Sequence, residues 1–233
     1  MNNARNSLPL TLLAFAASSV LAASLIYRHV KDEQRTKEAN TRYQVVFILG
    51  GPGSGKSTLS ERLVRDFKWC HLVAVDLLRA ELDKSDSEIG SVINSKLAGG
   101  KLLKSLPSEL TVRVLRKAMR LEHERSGTTK FIIEAFPRNN SHVVAWGQAM
   151  DDKTDLKHVI LLTCPEDTMT DRLLKRGRSG DSLDIIKKKM GLYRESTMPI
   201  IEMYWKQGKI RNVDADRTAD EVFTDTSKIF QDL

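Results

Sequence analysis

Cysteine is nearly absent from this chain of 233 residues: it has two, Cys70 and Cys164, each beside an apolar run. A disulfide framework or a cysteine-based metal site therefore has nothing to build on, and the pair reads as reduced thiols of a cytosol-like compartment. Aromatic residues are scarce too, at 6%, and none is interleaved with a run of basic residues. The net charge of +7 comes from 37 Lys and Arg scattered among 30 acids, so no nucleic-acid-binding stripe forms. The excess charge reads instead as a preference for phosphates. Internal repeats and low-complexity segments are also missing, which excludes solenoid and fibrous classes. With 41% hydrophobic residues, the length fits one globular domain of about 190 residues plus an N-terminal extension.

Charge is missing altogether from Leu8 to Tyr27. At 1.5 Å per residue, about 20 helical residues cover the roughly 30 Å hydrocarbon core of a bilayer. Arg5 stands alone before this stretch, whereas Arg28, His29, Lys31, Arg35, Lys37 and Arg42 follow it, and positive flanks stay cytosolic. Residues 1–30 are therefore expected to hold a transmembrane anchor, 31–42 a polar linker and 43–233 the working domain. That domain is expected to face the cytosol from the mitochondrial outer membrane or endoplasmic reticulum, with the membrane as a partner. A cleaved targeting segment is the alternative.

What is present is concentrated in one run, Gly50-Gly51-Pro52-Gly53-Ser54-Gly55-Lys56-Ser57-Thr58. Glycines let successive backbone N–H groups converge on an anion, Lys56 adds a mobile positive charge, and the Ser57 hydroxyl can meet Mg²⁺. The pattern should arise by chance in roughly one random chain in a hundred of this length. Its context fits as well. Val45 to Leu49 suit a buried strand, and Leu59, Leu63, Val64 and Phe67 recur at helical spacing.

Further along, His71 to Val75, Phe131 to Ile133, His158 to Leu162 and Ile210 to Val213 read as strands separated by helical patterns. Five strands alternating with helices predict an α/β three-layer P-loop fold, its parallel sheet covered on both faces and its ligands at the strands' carboxyl ends. Asp76 is placed to cap a helix starting at Leu77. His123, inside a charged helix, reads as a surface residue.

The motifs that follow the loop narrow its use. His71-Leu72, Asp76-Leu77-Leu78-Arg79 and Phe136-Pro137-Arg138 each lie at an end of a strand candidate. With Arg172 to Gly177, Ser196 to Ile201 and Asp214-Ala215, they resemble the nucleoside monophosphate kinases of the adenylate kinase and UMP-CMP kinase family. The resemblance implies a helical insertion that binds the acceptor, a short lid and a monomeric catalytic domain. It also implies reversible phosphoryl transfer from ATP to AMP, UMP or CMP, with ATP and Mg²⁺ as cofactors and small-molecule nucleotides as partners.

Such transfer asks the protein to hold two charged nucleotides in line and to neutralise their repulsion. By resemblance, Arg79 and Arg138 grip the acceptor phosphate, with Asp76, Phe136, Pro137 and His142 around the acceptor. Gly51 to Thr58 hold ATP, Arg172 packs on the donor base, and Arg176 reaches the donor phosphates, joined by Arg178. Lys56, Arg138, Arg176 and Arg178 form the catalytic set, and Ser57 and Glu134 the metal set. Some positions depart from the family: Ala74-Val75 replaces Ser/Thr-Gly, and Glu134-Ala135 replaces Asp-Gly. The lid Arg178 to Ser182 is abbreviated, and Lys189 stands where an arginine is expected. Two other readings fit the same residues, a tethered nucleotide-binding module with weak or lost catalysis and a P-loop kinase for another small acceptor.

Overall fold

The structure, a computed structural model, describes residues 28–29, 41–84, 86–97, 106–178 and 180–233. Residues Arg42–Leu233 form one compact unit. This unit is built on β1, Tyr43–Gly50, whose residues Val45 to Ile48 are wholly shielded from solvent. Side chains alternate across a strand, so Val45, Phe47 and Leu49 enter one apolar layer with Phe136, Trp146 and Tyr204. Val46 and Ile48 enter a second layer with Leu63, Trp69, Ile160 and Phe230. A continuous apolar run is what a strand covered on both faces requires.

The other strands are β2 (Cys70–Val73), β3 (Lys130–Glu134), β4 (Thr154–Thr163) and β5 (Ile210–Asp214). All pair in parallel in the order β2-β3-β1-β4-β5. Chain direction reverses its lateral progress beside β1, and this is where open α/β sheets form their ligand crevice.

The described helices are α1 (Lys56–Phe67), α2 (Ala74–Leu82), α3 (Glu88–Leu97), α4 (Ser108–Ser126), α5 (Asn140–Met150), α6 (Glu166–Arg176), α7 (Leu183–Leu192), α8 (Met198–Lys206) and α9 (Ala219–Gln231). A π-helical segment, Tyr193–Thr197, joins α7 to α8. Helices α2, α3 and α4 close their own apolar cluster of Leu78, Ile89, Ile93, Leu106, Leu110 and Val114, the core of the helical insertion. Helix α9 starts with a reciprocal cap in which Thr218 and Glu221 satisfy each other's backbone N–H groups.

Three expectations change. Helix α2 starts at Ala74 rather than Leu77, because Ala74, Leu78 and Glu81 already keep helical spacing toward the interior. Val73 occupies the cap position, and Asp76 lies in the first turn, where its charge suits the helix dipole. His123 is half-buried: its ring meets Tyr43 edge-on at 5.7 Å, and Nδ1 lies 3.0 Å from the Thr128 carbonyl.

The third correction concerns the membrane. No helix among the described residues is long and apolar enough to cross a bilayer. The longest, α4, has 19 residues but carries Glu109, Arg113, Arg116, Lys117 and Arg120 along its length. The expected transmembrane helix is therefore corrected, as are the membrane-anchored localisation and the membrane as a partner. The stretch 8–27 on which they rested, and the alternative targeting segment, lie outside the described residues.

Candidate active site

The loop between β1 and α1 turns as tightly as its glycines promised. Gly53 takes a left-handed φ of 84°, and a Cβ there would sit 2.4 Å from the Met169 carbonyl oxygen. Only glycine lets the loop run in backbone contact with α6 at this positive φ. No side chain caps the N-terminus of α1 at Gly55. An uncapped helix start following a Gly-rich turn suits a phosphate.

Lys56 folds back over this turn. Its Nζ donates to the carbonyls of Gly50 at 2.9 Å and Gly51 at 2.7 Å, and to Ser54 Oγ at 3.3 Å. Burial pulls its pKa down to about 8; Glu134 opposes that shift, and Arg138 and Arg176 add to it. Lys56 thus senses the charge of three groups that come from two other stretches of sequence. Ser57 and Thr58 are exposed in the first turn of α1.

Glu134 ends β3, next to β1, with 6% of its surface exposed. Ser57 Oγ donates to its Oε1 at 2.8 Å, and His71 Nε2 lies 2.9 Å from its Oε2. A carboxylate only accepts, so Nε2 carries the proton of that bond. Burial would raise the Glu134 pKa, but the hydrogen bonds from His71 and Ser57 outweigh it and hold the group below its ordinary value. Hydroxyl and carboxylate side by side make an all-oxygen pair, the donor type that hard Mg²⁺ prefers.

The chain then turns through Ala135, which has a left-handed φ of 53°. That turn aims the Ala135 carbonyl at Arg138, whose Nε donates to it at 2.8 Å. The backbone N–H of Arg138 donates to His142 Nδ1 at 3.2 Å, so the other ring nitrogen of a neutral His142 carries the hydrogen. Burial first, and then Arg138, push the His142 pKa down to about 4. Asn139 caps α5 by accepting from the His142 N–H at 2.8 Å. Phe136 and Pro137 are buried, the Phe136 ring packing on Phe47, Trp146 and His142. On α2, Arg79 pairs with Asp76 at 3.0 Å, both largely exposed.

The donor-side arginines are engaged elsewhere. Arg172 donates to the carbonyls of Ala215 at 2.9 Å and Arg217 at 3.3 Å, beyond β5. Arg176 makes a two-pronged contact with Asp181, each bond 2.9 Å. Lys189 reaches the same carboxylate at 3.2 Å and the Gly180 carbonyl at 2.6 Å. Arg178 is exposed at the start of the lid turn.

The structure therefore gathers Lys56, Ser57, Glu134 and Arg138 around the ends of β1 and β3, whereas Arg172 is held beyond β5. Two residues without an assigned role in the sequence emerge, His71 and Asp181. His71 lies two residues before Val73, the β2 partner of Glu134 in the sheet register. That pairing of parallel strands is invisible without the fold. Asp181 was visible as the lid's acid, but not its burial.

Comparison with known proteins gives the chain's family. The family model described as adenylate kinase matches residues 48–209. A UMP-CMP kinase of Danio rerio is 42% identical over 194 residues, covering 81% of this chain and 97% of that protein. One from Xenopus laevis is 42% identical over 191 residues, covering 80% and 97% respectively. One from Bos taurus is 38% identical over 192 residues, covering 80% and 96%.

Proposed function

This chain belongs to the adenylate kinase family and is a nucleoside monophosphate kinase that uses ATP and Mg²⁺, and we propose that its acceptor is a pyrimidine monophosphate, UMP or CMP. The similarity to UMP-CMP kinases along nearly their whole length supports that choice over AMP. The kinase is carried by residues 43–233 in this reading.

The observation that carries the site is the meeting of Ser57, Glu134 and Arg138 beside Lys56. The Gly51 to Thr58 turn takes the ATP phosphates, because it leads into the uncapped N-terminus of α1, where free backbone N–H groups and the helix dipole favour an anion. Lys56 exchanges its loop carbonyls for phosphate oxygens. Ser57 and Glu134 fit Mg²⁺ as an oxygen pair, which would neutralise charge between the donor phosphates. Arg138 and Arg79 clasp the acceptor phosphate, where a guanidinium fork matches its oxygens. Asp76 keeps Arg79 oriented, Phe136 and Pro137 hold the turn that presents Arg138, and His142 offers a neutral ring to the acceptor base. Arg176, and Arg172 and Arg178 by a larger movement, approach the donor as the lid closes and excludes water.

The full chain supplied with ATP, Mg²⁺ and each of AMP, UMP and CMP tests this. Conversion of UMP or CMP at a kcat/KM well above that of AMP is expected. Preference for AMP overturns the acceptor assignment.

A further inference from the structure

We infer that Glu81 is a positioning residue for the acceptor-phosphate grip: held by Lys117, Ser87 and Lys84, it fixes the rotation of α2 so that Arg79 faces the cleft. The inference rests on the role of Arg79 proposed above.

Glu81 lies in the last turn of α2 with only 4% of its surface exposed, beside the apolar cluster of α2, α3 and α4. Its carboxylate accepts from Lys117 of α4 at 2.8 and 3.0 Å and from Lys84 at 3.0 Å. Ser87, just before α3, donates to it as well, and Ser87 Oγ accepts from the Gly90 N–H at 3.0 Å. Helix α3 touches α2 backbone to backbone here, since a Cβ on Gly90 would stand 2.2 Å from the Glu81 carbonyl oxygen. One carboxylate thus ties together all three helices of the insertion. Burial would raise its pKa, yet the hydrogen bonds from Lys117, Ser87 and Lys84 hold it down to about 2.

A buried charge is a poor choice where cohesion alone is needed, because a well-packed apolar residue generally does as well or better. What the ion pair supplies is direction. Leu78 and its neighbours let α2 slide or roll on α4, whereas the hydrogen bonds of Glu81 have one geometry. Two residues along a helix turn it by about 200°. Burying Glu81 therefore sends Arg79 to the opposite, open side, where it is 62% exposed and pairs with Asp76.

Glu81→Gln, Lys117→Met and Ser87→Ala in the full chain test the idea, with KM for the acceptor, KM for ATP, kcat and Tm measured for each. Glu81→Gln and Lys117→Met should raise acceptor KM about tenfold while ATP KM stays within about twofold. Combining them should add little, because both remove one interaction. Lys117→Arg should restore most of the acceptor affinity. If Glu81→Gln does not fold, Ser87→Ala keeps the charge pair and should still raise acceptor KM about threefold with the same split. Acceptor KM unchanged throughout, or rising in step with ATP KM, overturns the inference. Arg79→Ala separates the two readings. If it too leaves acceptor KM unchanged, the proposed role of Arg79 itself falls; if it raises KM while Glu81→Gln does not, only the role of Glu81 falls.

Discussion

The hydroxyl of Ser57 donates to the carboxylate of Glu134 at 2.8 Å, joining the first turn of α1 to the last residue of β3 across 77 residues of sequence. Neither residue reaches the other except through the parallel pairing of β1 with β3, which sets Ile48 opposite Glu134. The glutamate is longer by one methylene than the family's usual aspartate, and it spans from Ser57 to His71.

Glu134→Gln removes the charge of the proposed metal pair while keeping its shape. The concentration of Mg²⁺ needed for half-maximal rate should rise about 10- to 100-fold. An unchanged Mg²⁺ dependence would exclude Glu134 from the metal set.

Arg138 is held from both sides, by the Ala135 carbonyl and through its own backbone by His142. Arg138→Ala should lower kcat/KM for the acceptor by on the order of a hundredfold or more, since a charge donor to a transferring phosphate is lost. ATP affinity, measured by calorimetry, should change little.

Ala135 has a left-handed φ of 53°, a conformation costing a residue with a Cβ about 1–2 kcal/mol. Glycine there relieves that cost but loses up to about 1 kcal/mol to the freer unfolded chain. Ala135→Gly should therefore stabilise by about 0.5–1 kcal/mol and raise Tm by a few degrees in thermal unfolding. A lower Tm would contradict the assigned strain.

Two buried carboxylates should govern acid stability. Glu81 is held at about 2 against its ordinary 4.5, where the hydrogen bonds of Lys117, Ser87 and Lys84 outweigh burial, and Asp181 at about 2 against 3.8, chiefly through its hydrogen bond from Arg176. A depressed folded-state pKa means that the unfolded chain binds protons first, so stability is full above the ordinary value and is lost as pH falls toward 2. Denaturant unfolding should show this loss between about pH 5 and 2. In Asp181→Asn the slope over that range should be shallower.

Much of the site could be read in the linear chain because its parts are local. The glycine loop, Lys56 and Ser57 follow one another within eight residues, and Arg138 sits at a fixed step beyond β3. Their chemistry is written in residue type and spacing. His71 shows in the sequence as part of a motif but without a role, because its partner Glu134 lies on another strand, and His123 seemed exposed because helical charge says nothing about Tyr43 approaching from β1.

By itself the sequence determined the alternation of strands and helices and the tight glycine turn between β1 and α1. Backbone sterics and hydrophobic periodicity act over a few residues, and they suffice for that. Only tertiary structure decided that Glu134 would face Ser57 and His71, that Arg176 would rest on Asp181, and that Glu81 would be buried against Lys117. Each of these depends on packing between distant segments, where the balance of desolvation and pairing is set by which charges the fold brings within hydrogen-bond reach.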